Sequence, residues 1–118
     1  MVNLSKYVVY DSFTINEVIE TFKSNKERVT IVLNDKNKVI GVISQGDIIS
    51  ALNEGINVYS NCSQIINSSF FYLNDKDLKK AYKIFKDKQI SLLPIVTDNF
   101  EVIDIITIKD IFNYLEDK

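Results

Sequence analysis

The sequence predicts an α+β (α/β-type) fold of two β-α-β-β-α repeats packed with pseudo-twofold symmetry, and three observations predict it. The chain aligns with itself at an offset of 63 positions without a gap. Each copy runs in the same order: a short apolar run, a helical apolar spacing, two apolar runs around a turn, and a second helical spacing. Each copy is also only about 50 residues long, and a unit that small buries roughly 60% of its unfolded surface, so two are expected to pack as one module.

The identical pairs at this offset are Phe22/Phe85, Lys23/Lys86, Asp35/Asp98, Val39/Val102, Ile40/Ile103, Ile43/Ile106, Asp47/Asp110, Ile48/Ile111 and Leu52/Leu115. Average residue usage would give roughly three by chance over positions 7 to 55. Conservative pairs such as Ile15/Leu78, Val32/Ile95 and Ser44/Thr107 extend the match.

The elements follow in order. Tyr7-Val8-Val9-Tyr10 and Phe70-Phe71-Tyr72-Leu73 read as the opening strands. Ile15, Val18, Ile19 and Phe22 then fall on one helix face, answered by Leu78, Ala81, Tyr82 and Phe85. Thr14 and Glu17 have capping-box spacing at the first helix start, and Asn74 and Asp75 offer cap side chains at the second. Val29 to Leu33 and Val39 to Ile43 flank Asn34-Asp35-Lys36-Asn37, whose side chains suit a tight turn, so a hairpin is expected. Its twin is Leu92 to Val96 and Val102 to Ile106, where Pro94, lacking an N–H, predicts an edge or a bulge. A closing helix follows Ser44, carrying Ile48, Ile49 and Leu52 to a stop at Gly55; its partner follows Thr107 with Ile111, Phe112 and Leu115. The organisation is thus one module over 1–118, with repeats at 7–55 and 70–118 and a connection at 56–69, whose stretch from Cys62 to Ile66 reads as a covering turn of helix.

Composition narrows function. The chain has 118 residues, 46% of them hydrophobic and 25% charged, an ordinary globular balance. A net charge of -2 supplies no basic field for nucleic acid. No run approaches the roughly 20 apolar residues of a membrane span, and Met1 to Lys6 lacks the apolar stretch of a signal peptide, so a soluble cytoplasmic protein is expected. A single Cys62 makes no internal disulfide and suits a reducing compartment. With no His and one Cys there is no His-based triad and no usual transition-metal cluster. Three glycines, Gly41, Gly46 and Gly55, build neither a Walker loop nor a GxGxxG turn. No catalytic residue, metal ligand or required cofactor is expected.

The motif that stands out is an apolar strand, Ser or Thr, two variable residues, Asp and an apolar helix. It occurs as Val42-Ile43-Ser44-Gln45-Gly46-Asp47-Ile48 and again as Ile105-Ile106-Thr107-Ile108-Lys109-Asp110-Ile111. Two such motifs in register within a duplicated β-α-β-β-α frame resemble a tandem CBS-domain pair, or Bateman module, over nearly the whole chain. Ser44 to Leu52, with Gly55 and the segment to Ile66, is similar to the CBS pair that precedes sugar-phosphate nucleotidyltransferase domains.

The resemblance implies a regulatory module that binds an adenine nucleotide, AMP, ADP or ATP, with S-adenosylmethionine a less favoured ligand, in clefts between the two repeats. It implies that Asp47 and Asp110 hold the ribose hydroxyls. An ionised carboxylate suits that task, since it accepts two hydrogen bonds at once. Ser44 and Thr107 are then expected to donate hydroxyl hydrogen bonds to a phosphate or ribose oxygen beside a helix N-terminus, and Arg28 to meet phosphate; its counterpart is Ser91. Val9, Ile43, Tyr72 and Ile106 are candidates for the base slot, with an ordinary core role as the competing reading. Ser or Thr followed three residues later by Asp is equally a plain helix cap, and sequence leaves the two open. The resemblance further implies a homodimer and an attached or partner enzyme. The competing functional class is a ligand-free dimerisation scaffold built on the apolar faces of the end helices.

Overall fold

The computed structural model describes residues 4–117; the outermost residues of the predicted module, 1–3 and 118, lie outside the described residues. The chain divides into two compact units, residues 4–70 and 71–117.

In the first unit a 3-10 turn at Leu4–Tyr7 leads into β1 (Val8–Tyr10), followed by α1 (Ile15–Thr21), β2 (Val29–Leu33), β3 (Val39–Ser44) and α2 (Gln45–Asn53). β1 lies parallel to β2 and β2 antiparallel to β3, giving the sheet order β1-β2-β3. Asn34 makes the hairpin turn: its Oδ1 accepts from the Lys36 and Lys38 amides, and Asn37 takes a φ of 62°, which Asn tolerates. The expected stop at Gly55 is a Schellman motif. Gly55 has φ 90°, its amide donates to the Leu52 carbonyl, and the Ile56 amide donates to Ala51. Val9, Ile15, Val18, Phe22, Val32, Ile43, Ile48 and Cys62 form the core.

The connection after α2 belongs to this unit. The first amides of a helix have no partner within it, and here Ile15 N donates to Ser60 O and Asn16 N to Val58 O, while Glu17 N is met by Thr14 Oγ1 in the predicted capping box. The expected covering turn is a 3-10 turn at Cys62–Ile65, with Cys62 in the core. Burial and the charge of Asp11 push its thiol up to about 11. Asn67 then pairs with Val42 in one antiparallel rung, and Gly41 makes room: a Cβ there would lie 2.6 Å from the Asn67 carbonyl oxygen and collide with Ile66 Cγ2.

The second unit holds α3 (Leu78–Asp87), β4 (Leu92–Val96), β5 (Val102–Thr107) and α4 (Ile108–Glu116) around Ala81, Leu93, Ile95, Ile106 and Ile111. β4 and β5 form an antiparallel pair whose register shifts between Ile95 and Val96, matching the shift between Val32 and Leu33 in the first unit. The bulge is therefore part of the duplicated design and owes nothing to Pro94, whose counterpart is Ile31.

Three expectations are corrected here. Phe70 to Leu73 is not a strand; only Leu73 bridges, parallel, to Ile95. Leu73 N donates to Pro94 O and Val96 N donates to Leu73 O. The next rung of a parallel ladder would need an amide at position 94, and proline has none, so pairing stops. Second, Leu73 and not Tyr72 is the structural counterpart of Val9, because Val9 pairs with Val32 where Leu73 pairs with Ile95. Third, the α3 cap is Asp77, whose Oδ1 accepts from Lys80 N; Asn74 instead donates to the Val96 carbonyl.

Candidate functional site

The duplicated motif produces the same geometry twice. β3 ends at Ser44 and turns directly into α2; β5 ends at Thr107 and turns directly into α4. Ser44 N donates to Asp47 Oδ2 at 2.9 Å, Ser44 Oγ donates to the same oxygen at 3.0 Å, and Asp47 N donates back to Ser44 Oγ at 3.2 Å. In the second unit the corresponding distances for Thr107 and Asp110 are 2.8, 3.2 and 3.4 Å. Both are complete capping boxes, so the helix-cap reading of the motif holds at each.

The cap occupies only part of each carboxylate. Oδ2 takes both bonds, and among the described residues no donor reaches Oδ1 of Asp47 or Asp110. Both side chains are half-buried, so each unit presents an acceptor oxygen held rigid by its own helix start. The hydroxyls differ from expectation: Ser44 and Thr107 donate their protons inward to the aspartates, leaving an oxygen lone pair and no outward donor.

A backbone rung also repeats. Gln45 N donates to Arg28 O at 3.0 Å and Ile108 N to Ser91 O at 3.3 Å, tying each helix start to the residue just before β2 or β4. Among the described residues the Arg28 side chain forms no ion pair with Asp47. Arg28 lines a cavity of about 370 Å3 with Ile19, Phe22, Lys23, Gln45, Ile48 and Ile49, which includes neither Ser44 nor Asp47. Gln45, Ile48 and Ile49 share one side of α2, and at about 100° per residue Asp47 projects from the other.

The candidate base-slot residues are also placed. Val9, Ile43 and Ile106 have no accessible surface and fill the cores of their own units, so as they stand they offer a ligand nothing to touch. Tyr72 is exposed and meets Phe100 edge-on at 5.2 Å. Two residues bearing on the surroundings escaped sequence reading. Asn25 is buried at 1% exposure in the turn before β2, and Gly41 admits the connection. Neither carries a spacing signal, because both act through chain segments distant in sequence.

Among the described residues no group of three His, Cys, Asp or Glu side chains is arranged to hold a metal ion, and no helix is long and apolar enough to cross a membrane.

Against known families, the CBS domain model matches residues 4–54 and 62–117. The chain belongs to the CBS domain family. CBS domain pairs are regulatory, non-catalytic modules. The second family match opens at residue 62, inside the connection, although that stretch packs on the first unit. An uncharacterized protein of Methanocaldococcus jannaschii is 28% identical over 127 residues, covering 93% of this chain and 45% of that protein. Its solved structure superposes with a TM-score of 0.80 at 26% identity, over 93% of this chain and 46% of that one. A CBS domain protein from Pyrobaculum aerophilum, solved complexed with AMP, has a TM-score of 0.77 at 19% identity, over 95% and 92% of the two chains. A CBS domain pair solved in complex with 5′-methylthioadenosine and S-adenosyl-L-methionine gives 0.76 at 21% identity, over 94% and 88%. This chain spans less than half the length of the curated relatives it matches.

Proposed function

We propose that this CBS pair is a regulatory module that senses an adenosine-bearing ligand, with AMP, ADP or ATP preferred over S-adenosylmethionine, and holds the ribose through Asp47 and Asp110. The observation that carries the proposal is the duplicated carboxylate whose Oδ2 is locked in a helix cap while Oδ1 accepts nothing among the described residues. A ribose hydroxyl donates to Oδ1, and its neighbour donates to the remaining lone pair of Ser44 Oγ or Thr107 Oγ1. The cap makes the acceptor rigid before ligand arrives, so little ordering entropy opposes binding. The adenosine ligands of the similar proteins from Pyrobaculum aerophilum and of the S-adenosylmethionine complex support the same ligand class. The output is control of an attached or partner enzyme, a sugar-phosphate nucleotidyltransferase being the candidate that the Ser44 to Ile66 segment suggests.

Isothermal titration with AMP, ADP, ATP and S-adenosylmethionine tests the reading. Heat of binding from at least one is expected, lost in Asp47→Asn with Asp110→Asn. At a hundredfold excess over Kd, such a ligand stabilises the folded chain by about 2.7 kcal/mol. Silence from all four ligands defeats the proposal.

A second reading has its own observation. Ile108, Phe112 and Leu115 are exposed along one stripe of α4, and Ile49 and Leu52 along α2, in keeping with a homodimerisation scaffold. Concentration-dependent sedimentation that the double Asn variant leaves unchanged, together with no nucleotide binding, would favour it.

A further inference from the structure

The cavity of about 370 Å3 between α1 and α2 has apolar walls, Ile19 and Phe22 from α1 and Ile48 and Ile49 from α2, and its polar lining is Lys23, Arg28 and Gln45, with no carboxylate. Duplication sets a contrast beside it. At the equivalent positions of the second copy Ile19 becomes Tyr82, Gln45 becomes Ile108 and Ile49 becomes Phe112, so each exchange adds apolar or aromatic bulk. Tyr82 packs against the core of its own unit. Ile108 and Phe112 instead stand out from it, at 39% and 58% exposure.

Phe112 is flanked on α4 by side chains that suit a contact. At about 100° per residue, Ile108, Leu115 and Glu116 fall on the same side of the helix as Phe112, and all are exposed. The outer side of α4 is thus an aromatic knob between two aliphatic side chains, with a carboxylate one turn on, at the helix end where the backbone's partial negative charge gathers. The cavity complements it in shape and in sign. A volume in the range that takes whole small ligands has room for one aromatic ring, and the cations Lys23 and Arg28 stand where the knob brings an acid. Two α4 stripes meeting each other would set Glu116 against Glu116 and leave the cavity unfilled.

We infer that the occupant of this cavity is a second copy of the chain: Phe112 of one copy seats between Ile19, Phe22, Ile48 and Ile49 of another, Ile108 and Leu115 cover the mouth, and Glu116 lies over Lys23 and Arg28. The contact joins unlike repeats, because the first carries the cavity and the second the knob. It rests on the exposed stripes behind the scaffold reading and adds which surface meets which. Asp47 projects from the side of α2 away from the cavity, and Asp110, two residues before Phe112, from the side of α4 away from the knob, so association and ribose binding use different faces of both helices.

Sedimentation of the full chain over a range of concentrations tests the contact. The chain is expected to self-associate, and Phe112→Ser to weaken association about thirtyfold, the loss that follows when an aromatic anchor leaves its pocket. Ile19→Tyr, which places the second copy's own residue in the cavity, should weaken it as well, and so should Ile49→Phe at an exposed position; near-ultraviolet circular dichroism confirms that each variant is folded. Mixing Phe112→Ser with Ile19→Tyr should give more association than either variant alone, since one supplies an intact cavity and the other an intact knob. A chain that stays monomeric at every concentration would defeat this contact and the scaffold reading together. Association lost in Phe112→Ser but kept in both Ile19→Tyr and Ile49→Phe, or a mixture no better than its components, would overturn the contact while leaving the scaffold reading in place.

Discussion

Replacing Gly41 by alanine tests how the connection is fastened to the first unit. In the second copy Asp104 occupies the same place in β5, so the strand itself makes no demand for glycine. What demands it is the rung to Asn67. An alanine Cβ would stand 2.6 Å from the Asn67 oxygen and 3.1 Å from its carbonyl carbon, besides striking Ile66. If segment 66–67 stays, overpacking costs about 1–3 kcal/mol. If it lifts away, the Val42 N to Asn67 O and Asn67 N to Val42 O bonds of 3.1 and 2.9 Å are lost, at about 1 kcal/mol each. The cheaper route prevails, so the cost is close to 2 kcal/mol, offset by about 0.4–1 kcal/mol from the stiffer unfolded chain. A net loss of about 1–2 kcal/mol is expected in urea unfolding, with faster hydrogen exchange at Val42 and Asn67. Unchanged stability together with unchanged protection of the Val42 amide would refute the reasoning.

Two further outcomes are expected. Ser44→Ala and Thr107→Ala each remove a cap acceptor and should lower stability by about 1 kcal/mol in denaturant unfolding, by similar amounts because the two boxes are built alike. Cys62 has its thiol pushed from 9.0 to about 11. The unfolded chain therefore releases this proton first: the stability is fully present below about pH 9 and is lost as pH rises toward 11, a slope that Cys62→Ala should remove from unfolding measured against pH.

Local rules made much of the fold readable. The capping boxes at Thr14/Glu17, Ser44/Asp47 and Thr107/Asp110, the Asn34 turn and the Gly55 stop depend on contacts within a few residues, and each appears in the structure. The 63-residue offset likewise returns in the paired bulges and in the twin rungs from Gln45 and Ile108. The offset failed at the opening strand of the second copy, since apolar composition at Phe70 to Leu73 carries no information about whether the facing strand has an amide to offer. Tyr72 was accordingly placed one residue away from the true counterpart of Val9.

By itself, then, the amino-acid order determined the duplication, the hairpins and the two acid-bearing helix starts, because spacing and side-chain chemistry act at short range along the chain. Only the tertiary structure decided that one carboxylate oxygen at each start is consumed by its cap, that residues 56–70 fold onto the first unit, and that Arg28 faces a cavity on the far side of α2 from Asp47. Those outcomes rest on which segments distant in sequence meet, and on which donors and acceptors remain once they do.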